Sequence, residues 1–218
     1  MKLICCILSF IVLTLSLSAQ IVKNSLLIGG QVSSSNSEQN NSVNSNLVGK
    51  AATYGISFGK AVHDNRVVGI DLVYIPSTIN QQGANSDTLS IKSNTYSIDV
   101  FYRQYKKLAK DLYFFSQLSL GVRFDNQFDS HPTYPYTTKS NQIAIPFSFT
   151  PGISYQVYKK MHLEITIPDL AMLQYSTTRQ VNTQNMVQSV SKYNSFSITT
   201  TLTGRSFFLF GAGIRFIF

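Results

Sequence analysis

Six ionisable residues recur in one setting along this chain. Asp71, Asp99, Arg103, Arg123, Glu164 and Arg215 all occupy the non-aliphatic face of segments in which apolar and other residues alternate. Three are acids and three are bases. Buried charges are ordinarily paired, so the chemistry on offer is mutual neutralisation, or movement of a proton or ion between partners. Glu164 and Arg215 each lie three residues from the same end of their segments, which predicts a cross-strand pair. Asp71 and Asp99 sit at comparable depth on another adjacent pair. Two carboxylates there need a cation, and Arg103 or Arg123 is available. A rearranging ion gate and a polar plug that cancels its own charge both use these six residues; the pairing rule favours the plug.

Other chemistries are thinly represented. Of the three histidines, only His131 has acids and a hydroxyl beside it, in Asp125, Asp129 and Ser130. Those are the ingredients of Ser-His-Asp acyl transfer, but they fall in a polar segment that supplies no fixed geometry. Asp125-x-x-x-Asp129 is too sparse for a calcium site. No metal-ligand spacing, phosphate loop or nucleotide fingerprint is present. No catalytic, cofactor-binding or metal residue is assigned, and the chain reads as a non-enzyme without a cofactor.

The elements that hold the charges alternate at period two. Tyr54, Ile56 and Phe58 share one face; Val68, Ile70, Leu72 and Tyr74 repeat it, opposite Asp71. Tyr96, Ile98, Val100 and Tyr102 oppose Asp99 and Arg103, and Phe114, Leu118, Leu120, Val122 and Phe124 oppose Gln117 and Arg123. Segments 143–157 and 208–218 continue the pattern, the latter with Arg215 on its polar side. Segments 26–33 and 161–175 are weaker members, and Pro168-Asp169 breaks the phase of the second. Such alternation means strands with one apolar face. Eight strands are predicted, with a bulge at Pro168-Asp169.

Long gaps rich in Ser, Asn, Gln and Thr, at about 36–48, 76–92, 125–140 and 176–192, alternate with short ones at 61–65, 106–111 and 158–160. That arrangement predicts an up-and-down barrel with long polar loops at one rim and tight turns at the other. A soluble barrel would turn its greasy face inward. Here the other face carries all six charges, and exposing an Arg to lipid at the bilayer midplane costs roughly 2–4 kcal/mol. The apolar face is therefore expected outward, and the barrel in a membrane. Tyr54, Tyr74 and Tyr96 should mark the long-loop side of an aromatic belt, with Phe58, Tyr102, Phe114, Tyr155 and Phe216 on the other.

Composition agrees. The chain has 218 residues, 44% of them hydrophobic and only 13% charged, with a formal net charge of +8. Its mean hydropathy is close to zero, too polar for a helical membrane bundle. Met1-Lys2, an apolar run to Leu17, and Ser18-Ala19-Gln20 predict a secretory signal peptide over residues 1–19, leaving a barrel domain over 20–218. Both cysteines, Cys5 and Cys6, fall in that leader, so no disulfide is expected. The clearest basic cluster, Lys106, Lys107 and Lys110 with Lys159 and Lys160, belongs to two tight turns. Contact with anionic headgroups accounts for it, and no nucleic-acid partner is expected.

The final strand, 208–218, alternates apolar residues up to a terminal Phe218, and resembles the strand by which outer-membrane barrels are recognised by their assembly machinery. The run from Phe101 to Lys107, Leu112-Tyr-Phe-Phe115, Pro151-Gly-Ile-Ser-Tyr155 before Lys159-Lys160, and the Ser18-Ala19-Gln20 junction are similar to the Bacteroidetes outer-membrane β-barrel family, called PorT-like or porin-like. That resemblance implies an all-β, eight-stranded antiparallel transmembrane barrel in the outer membrane of a Gram-negative bacterium. It implies outer-membrane lipid, the assembly machinery and envelope proteins as partners. It leaves open whether the lumen conducts.

Overall fold

Every alternating segment becomes a strand. The computed structural model describes residues 21–41, 45–82, 88–130, 136–184, 187–200 and 210–218. The leader expected over residues 1–19, and His131, lie outside the described residues. Ten strands form one antiparallel sheet: β1 (Leu26–Asn41), β2 (Ser45–His63), β3 (Arg66–Gln82), β4 (Thr88–Lys107), β5 (Leu112–Ser130), β6 (Tyr136–Tyr158), β7 (Met161–Thr166), β8 (Ala171–Gln184), β9 (Val187–Thr200) and β10 (Gly211–Ile217).

The ladders close on themselves. Neighbours in sequence pair from β1 through β7, β7 pairs with β10, and β10 pairs with β1, giving a ring of eight. The expected count of eight differs from the observed ten because the seventh segment is split and because β9 was not foreseen. β7 pairs with the second half of β6, and β8 with the first half. Between them two residues of β6, Thr150 and Pro151, span the stretch that takes four residues, 167–170, on the other side. The bulge falls at the expected Pro168-Asp169: Asp169 takes φ 46° and donates its N–H to Thr150 Oγ1 at 3.2 Å. β9 pairs only with β8 among the described residues.

Strand tilt sets which residues share a level. From Gln31 the register runs through Gly55, Val73 and Ser97 to Arg123 on β5. The other way round it runs through Gly213, Glu164 and Ser154 to Tyr113 on the same strand, ten residues away. That stagger is what closure of a tilted sheet demands.

The polar segments expected as loops are mostly strand. β1 and β2 stay in register out to Asn41 and Ser45, and β3 and β4 to Gln82 and Thr88. β3 thus runs eight residues beyond Tyr74, roughly 25 Å at about 3.3 Å per residue. These arms escaped notice because neither face carries an apolar stripe, while a backbone ladder needs none.

The faces fall as the alternation requires. Tyr54, Ile56, Phe58, Ile70, Leu72, Ile98 and Val100 are each about half exposed, whereas Asp71, Arg103, Glu164 and Arg215 are buried inside the ring. Tyr54, Tyr74 and Tyr96 stack across three strands, with ring centroids 6.4 and 5.1 Å apart. The interior is not polar throughout. At the tight-turn end Ile21, Leu27, Ala61, Val67, Phe101, Tyr105, Tyr113 and Phe115 form an apolar floor. Glycines on the same inner face make room for its rings: a Cβ at Gly69 would overlap Phe101, and one at Gly152 would overlap Phe115. Ile21 is tied to the β2–β3 turn by Ile21 N–H to Asn65 Oδ1 (3.2 Å) and Asn65 N–H to Ile21 O (2.9 Å).

Candidate functional site: an ion-pair cluster inside the ring

Directly above the apolar floor, three strands bring their charges to one point. Glu164 of β7 receives Arg103 Nη1 from β4 at 2.9 Å and Arg215 Nε from β10 at 2.9 Å. The Tyr105 hydroxyl donates to Glu164 Oε1 at 3.2 Å and accepts from Arg103 Nη1 at 3.1 Å. Arg103 Nε donates to Gln117 Oε1 at 2.8 Å, and the guanidinium lies 4.3 Å from the centroid of the Phe115 ring. Arg103, Glu164 and Arg215 are all at most 3% exposed. Gly29 leaves the space that the Arg215 side chain fills.

One carboxylate between two guanidiniums leaves this level one positive charge in excess. The level above carries the opposite sign. Asp71 and Asp99 are direct partners across the β3–β4 ladder, as their depth predicted. Gln117 links the two levels, since its Nε2 donates to Asp71 Oδ2 at 2.8 Å while its Oε1 serves Arg103. Ser97 Oγ lies 2.9 Å from both oxygens of Asp99. Arg123 approaches Asp169, at the bulge, at 3.7 Å.

The structure forms the Glu164–Arg215 pair and decides between the two arginines offered to Asp71 and Asp99. Arg103 serves Glu164 rather than the Asp71 and Asp99 carboxylates. The cause is tilt: four residues nearer the tight-turn end of β4 than Asp99, Arg103 is carried level with Glu164. Arg123 is the arginine whose charge acts on Asp99. Asp99 itself turns over Gly121, where a Cβ would overlap it. Gln117, Tyr105 and Phe115 complete the cluster and were not singled out. Their signal was phase, because all three share the inward parity of Arg103 or Arg123.

The remaining candidates do not assemble into catalytic machinery among the described residues. Asp125 already accepts from Ser93 Oγ, and from Thr95 Oγ1 at 3.2 Å; Asp129 accepts from Gln127 Nε2 at 2.9 Å. His162 Nδ1 lies 3.2 Å from Ser154 Oγ, and both residues are buried. No group of three or more His, Cys, Asp or Glu among the described residues could hold a metal ion. What the central cluster can do chemically is bind charge to charge and fill space. Side chains of β4, β5, β7 and β10 meet at this level.

Among solved structures the chain is similar to the outer membrane protein OprG from Pseudomonas aeruginosa, with a TM-score of 0.54 and 11% identity, over 92% of this chain and 99% of that one. Neisserial surface protein A gives 0.41 at 14% identity, over 89% and 97%. A major outer membrane protein from Thermus thermophilus gives 0.44 at 10%, over 89% and 99%. The likeness to OprG shows the fold, an all-β antiparallel barrel of the outer-membrane type. No family model matches the chain, and no curated protein matches it.

Proposed function

We propose that this chain is an eight-stranded, up-and-down transmembrane β-barrel of a Gram-negative outer membrane, non-enzymatic and closed inside by its own side chains. The observation that carries the reading is the inversion of its faces. Half-exposed aliphatic residues coat the outside, while Arg103 and Arg215 pair with the Glu164 carboxylate within. In water such an exterior would aggregate. In lipid it is the stable arrangement, and where β10 closes the ring between β7 and β1 those strands have both edges paired. Residues 1–19 act as the cleaved leader of a domain spanning 20–218, and the strand ending at Phe218 is the segment offered to the assembly machinery. Within this reading the protein is a PorT-like barrel of the Bacteroidetes kind. Its long arms, which stand beyond the tyrosine ladder on the outer side, contact other envelope components.

A second reading, a narrow channel for small ions, is favoured by one observation. Asp71 Oδ1, Arg123 Nε and Arg215 Nη1 are buried polar atoms without a hydrogen-bond partner among the described residues. Planar-bilayer recording separates the two readings. The closed barrel gives no conductance steps from folded, inserted protein. Steps that change on Glu164→Gln or Arg215→Gln would replace it with the channel.

A further inference from the structure

The net charge of this chain is concentrated at one end of the ring. Lys60 and Arg66 flank the β2–β3 turn, and Lys106, Lys107 and Lys110 surround the β4–β5 turn. Lys159 and Lys160 make the β6–β7 turn, and Lys23 lies beside the first of these turns in the N-terminal hook. Against these eight cations the same rim has two acids, Asp64 and Asp111, and Asp64 already accepts the Lys23 N–H at 3.0 Å. All eight except Lys107 are exposed. The balance at this rim is +6, in a chain whose total is +8.

Direction matters more than number. Lys60 continues the outward stripe of Phe58, Arg66 that of Val68, and Lys106 that of Tyr102, so these three project from the outer wall. Just above them stand aromatic rings: Phe216 stacks on Phe218 at 6.4 Å, and Lys160 Nζ lies 5.1 Å from the Phe218 ring centroid. Aromatic belts sit at headgroup depth in a bilayer, so cations just past the belt lie at the level of lipid phosphates.

We propose that this rim is a basic collar that binds the phosphate headgroups of anionic phospholipids in the leaflet around the tight turns. The proposal rests on the membrane-barrel reading and names a lipid partner for it. Cations distributed over three turns of a ring suit a leaflet, which surrounds all of them, better than a protein, which would meet one sector. Attraction of Lys and Arg to an anionic surface is additive and screened by salt.

The test is native mass spectrometry of the full-length protein, expressed, extracted from the outer membrane in nonionic detergent, and mixed with equal amounts of phosphatidylglycerol and phosphatidylcholine bearing the same chains. The collar predicts several-fold more phosphatidylglycerol retained. It predicts that the triple variant Lys60→Gln, Arg66→Gln, Lys106→Gln loses the preference, while Lys50→Gln, Lys92→Gln, Lys139→Gln on the arms keeps it. Heat-modifiable migration in detergent gels reports that each variant is folded. Equal retention of the two lipids by folded wild-type protein would overturn the collar alone, as would a preference that survives the triple variant. Displacement of the lipid by sn-glycerol 3-phosphate would reassign the rim to free phosphate and overturn it as a lipid surface. A wild-type chain absent from the membrane fraction would remove the barrel reading, and the collar with it.

Discussion

Arg103 and Glu164 meet 2.9 Å apart although 61 positions separate them in the chain and their strands, β4 and β7, share no ladder. The contact crosses the interior of the ring. With Arg215 bound to the same carboxylate oxygen, it ties β4 to β7 and β10, which backbone hydrogen bonding connects only through the strands between.

Removing Glu164 should therefore be severe. Glu164→Gln leaves two buried guanidiniums without a counter-charge, and breaking a buried pair costs about 3–5 kcal/mol. The urea midpoint of the detergent-folded protein should fall accordingly. Lys139→Gln, on an arm and exposed, should shift it by less than about 1 kcal/mol. A midpoint unchanged by Glu164→Gln would show that the cluster does not hold the fold.

The floor makes a steric prediction. Gly152→Leu would drive a side chain into the Phe115 ring and should abolish heat-modifiable folding. Phe115→Ala in the same chain removes the ring but leaves the Ile165 carbonyl oxygen 2.7 Å from the new Cβ, and should restore folding in part. Failure of the second substitution to rescue the first would mean that Gly152 is required for another reason.

The tyrosine ladder supplies a depth marker. The chain has no tryptophan, so a single introduced one reports alone. In vesicles containing brominated lipids, Tyr74→Trp should be quenched most by bromine near the headgroups, and Ile70→Trp most by bromine further down the chains. Equal quenching profiles would place the membrane boundary elsewhere.

The arms should be dispensable for folding. Among the described residues, every member of the floor and of the ion-pair cluster lies outside the paired stretch of β1 and β2 beyond Ser35. Replacing residues 37–49 by a short turn should leave heat-modifiable migration and the urea midpoint intact. A lost fold would show that the arms nucleate the ring.

The sequence carried the architecture wherever one face of a strand was apolar. Tyr54, Ile56 and Phe58 declared β2, and Val68 to Tyr74 declared β3, because outward and inward faces meet different surroundings. The arms were silent for the same reason reversed. Ser33 to Asn41 has polar residues at both parities, and the ladder that orders it is a backbone property. The charge cluster was half legible. Depth along two neighbouring strands located Glu164–Arg215, since a register of two adjacent strands can be counted from their turns. Arg103–Glu164 depends on the accumulated tilt around the whole ring, which no local spacing encodes. The apolar floor was obscured because Phe101, Tyr105, Tyr113 and Phe115 share the parity of the charged residues and differ from them only in height.

The account rests on which side of the wall meets lipid, and a nitroxide scan along β3 reads this directly. With Cys5 and Cys6 replaced by Ser, single cysteines at positions 67 to 72 would be spin-labelled in vesicles and tested for collision with oxygen, which concentrates in hydrocarbon. The account predicts high collision rates at Val68, Ile70 and Leu72 and low rates at Val67, Gly69 and Asp71. Rates without a period of two, or with the high values at Val67, Gly69 and Asp71, would contradict it.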